Sequence, residues 1–173
     1  IRLSQLKKYI MDYPRISIVT PSYNQAKYLP ETIVSILDQG YPNLEYIIID
    51  GGSTDGSVDI IKRHERHIAY WVSEKDSGQS EAINKGFRKS TGVLFNWINS
   101  DDILFPGALR TIGEAFIRRP DVDLVVGTNA RSDAEGRVIN VSVPPSRTAM
   151  SPLNWSMSIS QQSTFIRMDT LRR

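Results

Sequence analysis

A chain of 173 residues that is 40% hydrophobic and 23% charged can bury one substantial core, so a single domain is expected over residues 15–173, preceded by a short extension at 1–14. Its 21 basic and 19 acidic residues leave a net charge of +2 and are spread along the chain, which argues against a nucleic-acid partner. The lack of cysteine excludes disulfides, thiolate metal sites and cysteine nucleophiles together, so any metal must sit on oxygen or histidine.

The leading residues carry Leu3, Leu6 and Ile10 at helical spacing but lack the basic, apolar and small-residue succession of a signal peptide. No apolar run approaches the roughly 20 residues that a membrane span needs, so the expectation is a cytoplasmic protein, at most resting on the cytoplasmic face of a membrane. Short apolar runs rich in β-branched residues follow at 16–20, 46–50, 68–72, 93–98 and 124–127, each too short for a helix. Between them, apolar residues recur at helical spacing: Leu29, Ile33, Ile36 and Leu37; Val58 and Ile61; Ala82, Ile83 and Phe87; Leu109, Ile112 and Phe116. This alternation predicts an α/β domain with a mostly parallel sheet flanked by helices, because parallel neighbours need a crossover long enough to hold a helix. Past Thr128 the pattern loosens into a hairpin around Ala134, Glu135 and Gly136, a loop at Pro144 and Pro145, and a last strand near 163–166. The chain opens on Ile1 rather than methionine and stops at Leu171, Arg172 and Arg173 where a further helix starts, which is the pattern of a fragment truncated at its C-terminus.

In open α/β sheets, ligands bind outside the carboxyl ends of the strands, and the residues after each of the first four runs are polar. In the fourth loop, Asn99, Ser100, Asp101 and Asp102 supply the hard oxygen ligands that Mg²⁺ or Mn²⁺ prefers when it also bridges a diphosphate. The competing role for these acids is to cap a helix starting near Pro106; beside three other polar loops on one rim, the metal role outweighs it. In the second loop, Asp50 can accept hydrogen bonds from ribose hydroxyls or a base imide, whereas Asp55 suits the cap of the next helix. Tyr23 in the first loop offers a ring face to a base or packs against its neighbours. In the third loop and its helix, Asp76, Gly78, Asn84 and Lys85 are candidates, with Lys85 suited to phosphate but expected on a solvated face. His64 and His67 are expected at the surface, since two histidines without a nearby carboxylate make a poor metal site.

Taken in order, Thr20-Pro21-Ser22-Tyr23-Asn24, Asp50-Gly51-Gly52-Ser53-Thr54-Asp55-Gly56-Ser57, Asp76-Ser77-Gly78-Gln79-Ser80-Glu81-Ala82-Ile83-Asn84-Lys85-Gly86 and Asn99-Ser100-Asp101-Asp102 resemble the family 2 glycosyltransferases, from about Arg15 to the end of the chain. The resemblance implies a GT-A fold, a Rossmann-like three-layer α/β/α arrangement that takes a nucleotide-diphosphate sugar (a UDP-sugar, for example) with a divalent metal, Mn²⁺ or Mg²⁺. It implies transfer to an acceptor hydroxyl, usually with inversion, in glycan or polysaccharide biosynthesis, the acceptor being a glycan, a lipid-linked glycan or a protein. Carried across by position, Pro21, Tyr23 and Asp50 would contact the nucleoside, Asp76 would lie beside the base, Asn99 near the ribose, and Asp101 would hold the metal with support from Asp102.

The chain departs from the family at Asn99, Gly51 and Ile83, where many members have an acid, a second Asp and an Arg. Each departure removes a polar contact. The general base in the resembling family is an Asp beyond the strand matching 161–166, so the base and most of the acceptor site are expected after Arg173, with Asp169 capping the helix that begins there. A module that holds a nucleotide-sugar without transferring it is the alternative. No G-x-G-x-x-G follows the first strand and no P-loop is present.

Overall fold

The computed structural model describes residues 13–133, 135–144 and 159–172. The helix expected over the leading residues, together with Ala134 and Pro145, lies outside that set. In chain order the elements are β1 (Ile16–Ser22), α1 (Leu29–Leu37), β2 (Leu44–Asp50), α2 (Ser57–His64), β3 (Tyr70–Ser73), α3 (Gln79–Lys89), β4 (Leu94–Trp97), α4 (Ala108–Arg118), β5 (Leu124–Val126), β6 (Asn129–Ser132), β7 (Val138–Ser142), β8 (Thr164–Arg167) and α5 (Met168–Leu171). Six strands form one sheet in the order β3-β2-β1-β4-β8-β5, and β6 pairs with β7 in a separate two-stranded sheet.

The pairs β1–β2, β1–β4 and β2–β3 are parallel, as the helical crossovers require. β8 runs antiparallel to both β4 and β5, so the sheet is mostly rather than wholly parallel. The sequence between β5 and β8 reads as hairpin and loop instead of a crossover helix, and nothing there obliges β8 to run parallel. β3 starts at Tyr70 rather than at 68 because the N–H of Ile68 closes the 3-10 turn Glu65–His67 by bonding the Glu65 carbonyl at 3.2 Å.

Alternate residues of the central strands feed two cores. Ile16, Ile18, Tyr46 and Ile48 pack with Leu29, Ile33 and Ile36 of α1, Ile60 and Ile61 of α2, and Leu109, Ile112 and Phe116 of α4. On the other face Val19, Ile47, Ile49 and Phe95 pack with Ala82 of α3 and Met168 of α5. This period of two along each strand makes the three layers, and each fully buried aliphatic side chain contributes roughly 1.5–3 kcal/mol. α3 lies so close to β1 that a Cβ on Gly86 would stand 2.4 Å from Val19 Cγ1.

One buried acid ties the amino ends of the central strands together. Glu45 of β2 accepts hydrogen bonds from Ser17 of β1, from the backbone and hydroxyl of Thr91, and from Arg15 at 2.8 Å. Burial alone would push its carboxyl up, but the bonds from Ser17 and Thr91 and the Arg15 charge together hold it below its ordinary value.

Candidate functional site

The four parallel strands β1 to β4 end on one rim, and the strand order reverses between β1 and β4, so the crevice opens at that switch point. Pairing of β1 with β4 stops at Val19 with Trp97, and Pro21, which has no N–H to offer, comes just beyond it where the ladder has ended. A cleft of about 640 Å³ lies there, lined from β1 by Pro21, Ser22 and Tyr23, from the third loop by Asp76 and Gln79, and from the fourth by Asn99 and Asp101. Tyr23 is 63% exposed, so its ring is available to a ligand in the cleft. The Ser22 hydroxyl is buried without a hydrogen-bond partner among the described residues.

The first and second loops are locked to each other. Asn24 sits at φ +52°, in the left-handed region that asparagine tolerates better than most residues. Its Oδ1 accepts the Thr54 N–H at 2.9 Å while its own N–H donates to Ser53 Oγ at 2.8 Å. Gln25 N–H reaches Ser57 Oγ at 3.1 Å and Ala26 N–H reaches Asp55 Oδ2 at 2.8 Å. Asp55 also accepts from the Ser57 backbone and hydroxyl, so it serves the start of α2, as expected, and clasps the first loop as well. The Ser57 hydroxyl bond is the main reason its carboxyl is held below the ordinary value.

Asp50 is fully buried at 0% exposure and is not among the residues lining the cleft. Its carboxylate accepts from the N–H groups of Gly52 and Ser53, the hydroxyl of Ser53 and the hydroxyl of Ser73 at 2.6 Å. These bonds engage both carboxylate oxygens. Through them Asp50 shapes the second loop and ties it to β3.

In the third loop Asp76 Oδ1 accepts the Gly78 N–H at 2.9 Å. A Cβ at Gly51 would stand 3.1–3.3 Å from the Asp76 carboxyl group, so the missing side chain at 51 leaves the space that Asp76 fills. Lys85 is paired with Glu74 at 2.9 Å and Glu81 at 3.2 Å and does not line the cleft. Asn84 is exposed and also absent from the lining, and His67 is exposed beyond the far end of α2.

The fourth loop is a tight turn closed by Asp102 N–H on the Asn99 carbonyl at 3.1 Å. Asn99 Nδ2 donates to Asp102 Oδ2 at 3.0 Å, and Asn99 Oδ1 accepts from Gln79 Nε2 at 2.7 Å. Burial, then the Asp101 charge, raises the Asp102 carboxyl above its ordinary value. Neither acid caps a helix: α4 begins at Ala108 with Gly107 as its cap residue. Asp169 likewise lies within the first turn of α5, whose cap residue is Arg167.

Among the described residues no group of three or more His, Asp or Glu could hold a metal ion. The Asp101 carboxylate is exposed on the cleft lining and, among the described residues, no side-chain bond occupies it. That suits a hard cation completed by a ligand's own phosphate oxygens rather than a protein cage. Asp101 also borders a second cavity of about 790 Å³, lined with it by Tyr28, Asp102, Phe105, Asn129 and Gln162. Gln79, Ser22 and Gln25 also line the first cleft, a placement that their residue types do not announce in sequence. Gln79 and Ser22 stand inside motifs already marked and Gln25 directly follows one, which was their only signal.

Comparison with known proteins agrees with this geometry. The family model described as Glycosyl transferase family 2 matches residues 17–171. A Bacillus subtilis (strain 168) glycosyltransferase named for teichuronic acid biosynthesis, TuaG, is 39% identical over 94 residues, covering 51% of this chain and 36% of that protein. The crystal structure of S. aureus TarS 1-349 in complex with UDP superposes with a TM-score of 0.71 at 23% identity, covering 91% of this chain and 48% of that one. A mannosyltransferase from Pyrobaculum calidifontis, PcManGT, in complex with GDP-Man and Mn²⁺, superposes with a TM-score of 0.64 at 20% identity, covering 93% and 46%. The chain thus spans less than half the length of each. At these identities the solved structures establish the GT-A fold. Among the described residues no helix is long and apolar enough to cross a membrane.

Proposed function

The chain belongs to glycosyl transferase family 2, and we propose from that premise that its switch-point cleft binds the nucleotide-diphosphate part of a sugar donor, for transfer to an acceptor hydroxyl with inversion in glycan or polysaccharide biosynthesis. The observation that carries this reading is the placement of Pro21, Tyr23, Asp76, Asn99 and Asp101 around one cleft at the carboxyl ends of the parallel strands. TarS was solved with UDP and PcManGT with GDP-Man and Mn²⁺, which supports both the donor class and the cation.

Within the cleft, the exposed Tyr23 ring stacks against the base and Asp76 sits beside it, with Asn99 toward the ribose. Asp50 acts at one remove, by holding the second loop in shape through its hydrogen bonds to Ser53 and Ser73. Asp101 presents its oxygens to the cation and diphosphate, Asp102 supporting it from the turn. A bound Mn²⁺ or Mg²⁺ would offset the negative charge that grows on the departing nucleoside diphosphate. The acceptor hydroxyl approaches from the second cavity, since Asp101 lies on the lining of both.

The test is a thermal-shift and titration series with UDP- and GDP-sugars, with and without Mn²⁺. A stabilisation that depends on Mn²⁺ and disappears in Asp101→Ala is expected. Stabilisation that Asp101→Ala leaves intact overturns the metal assignment. Release of free sugar or glycosylated acceptor by the full-length protein separates a transferase from a module that only binds.

A further inference from the structure

The turn that carries Asp101 is held at two points. Its ends are joined through the backbone, Asp102 N–H to the Asn99 carbonyl, and again through side chains, Asn99 Nδ2 to Asp102 Oδ2 at 3.0 Å. Ser100 and Asp101 are its two central residues. An ionised carboxylate only accepts, so the Asn99 amide must turn its nitrogen to Asp102 and its oxygen away. That oxygen meets Gln79 Nε2 at 2.7 Å, and Gln79 is the first residue of α3. The polarity of the whole chain of bonds therefore runs one way, from Gln79 through Asn99 to Asp102.

We infer that Gln79 is a positioning residue for the donor site: by fixing which way the Asn99 amide points, it holds the Asn99 to Asp102 turn against the start of α3 and so sets where Asp101 stands relative to the diphosphate and its cation. This rests on the reading of the cleft as the donor site. Two nearly isosteric changes break the polarity. Gln79→Glu replaces the donor with an acceptor, which forces the Asn99 amide to flip and faces its oxygen toward the Asp102 carboxylate. Asn99→Asp sets a second carboxylate against Asp102. The latter change adds an acid beside the cation site, so a direct ligand role at 99 would strengthen metal-dependent binding, whereas the bridge role weakens it.

The experiment is calorimetric titration of UDP into the 173-residue chain with and without saturating Mn²⁺, reading the ratio of the two affinities. In Gln79→Glu and in Asn99→Asp that ratio falls about five- to tenfold, the range expected for one broken hydrogen-bonded link. The double variant Gln79→Glu/Asp102→Asn recovers at least half of the loss on a logarithmic scale. There the amide introduced at position 102 can donate to a flipped Asn99, and Asn99 can donate to the carboxylate introduced at position 79, with the charge count unchanged. A wild-type ratio in Gln79→Glu or a raised ratio in Asn99→Asp overturns the inference while leaving the donor site standing. Asp101→Ala separates the two ideas, because a Mn²⁺ gain that survives it removes the metal assignment to Asp101 and this inference together, while UDP binding itself still reports on the donor site. Melting curves of each variant confirm that folded protein is compared.

Discussion

Asn24 shows how much of the site depends on a single backbone conformation. At φ +52° it bridges two loops, with its side chain accepting from Thr54 and its backbone donating to Ser53. Asn24→Ala should cost about 1–2 kcal/mol, combining the left-handed strain of a residue with a Cβ and the loss of one hydrogen bond. Asn24→Gly keeps the conformation and loses only the bond, so it should cost less. Urea unfolding of the three proteins checks this, and equal losses for Ala and Gly would show that the strain argument is wrong. The residue types at the cleft were legible in sequence, because carboxylates and a tyrosine at strand ends announce themselves. What Asp50 does was not legible, since its occupation by Ser53 and Ser73 depends on where β3 lies. Gly51 is a similar case: the absence of a side chain looked like a lost contact, and the structure shows Asp76 in that space.

Among the elements, α3 is the one on which the site depends most. It crosses from β3 to β4, packs its inner face on Val19 and Ile49, and brings Gln79 to the cleft at its first turn. Its close approach to β1 is possible because position 86 has no side chain. Gly86→Ala would place a methyl group 2.4 Å from Val19 Cγ1, and since that side chain is itself buried it cannot move away freely. A loss of roughly 1–3 kcal/mol is expected from such overpacking, even though alanine favours the helix. Chemical denaturation measures it directly. A variant as stable as the wild type would mean that α3 can slide on the sheet, and Mn²⁺-dependent binding would then be the quantity to fall. Helix and strand periods placed α3 correctly along the chain, but the closeness of its packing appears only where the two elements meet.

For the molecule as a whole, the acids set how stability responds to pH. Glu45, Asp55, Glu81 and Asp133 are all held below their ordinary values, Glu81 to about 2, chiefly by the Ser77 hydroxyl. A carboxyl depressed in the folded state binds protons more readily when unfolded. Its contribution is therefore complete above the ordinary value, 4.5 for Glu45, and is lost as pH falls through the depressed folded value. Asp102, raised by burial and Asp101, has the opposite sign and relieves strain as it gains a proton. Glu45 is buried with four hydrogen bonds, whereas Glu81 is solvent-exposed and screened, so the depressed set dominates through Glu45. Melting temperature should hold from pH 7 to about 5 and fall below about pH 4.5, with a shallower fall in Glu45→Gln, which has no proton left to take up. An unchanged slope in that variant would assign the acid sensitivity elsewhere.

The alternation of apolar runs and helical spacing determined the α/β class, the four crossover units and the polar rim, because these follow from periodicity and from which residue types end each strand. The same local signals placed Tyr23, Asp76 and Asp101 near one another in expectation, and the structure lines one cleft with them. Tertiary structure alone decided the antiparallel insertion of β8, the clasp between the first two loops, the burial of Asp50 and the one-way chain from Gln79 to Asp102. Each of these joins residues distant in sequence, and no local period carries information about which distant partner will satisfy a buried oxygen or an exposed strand edge.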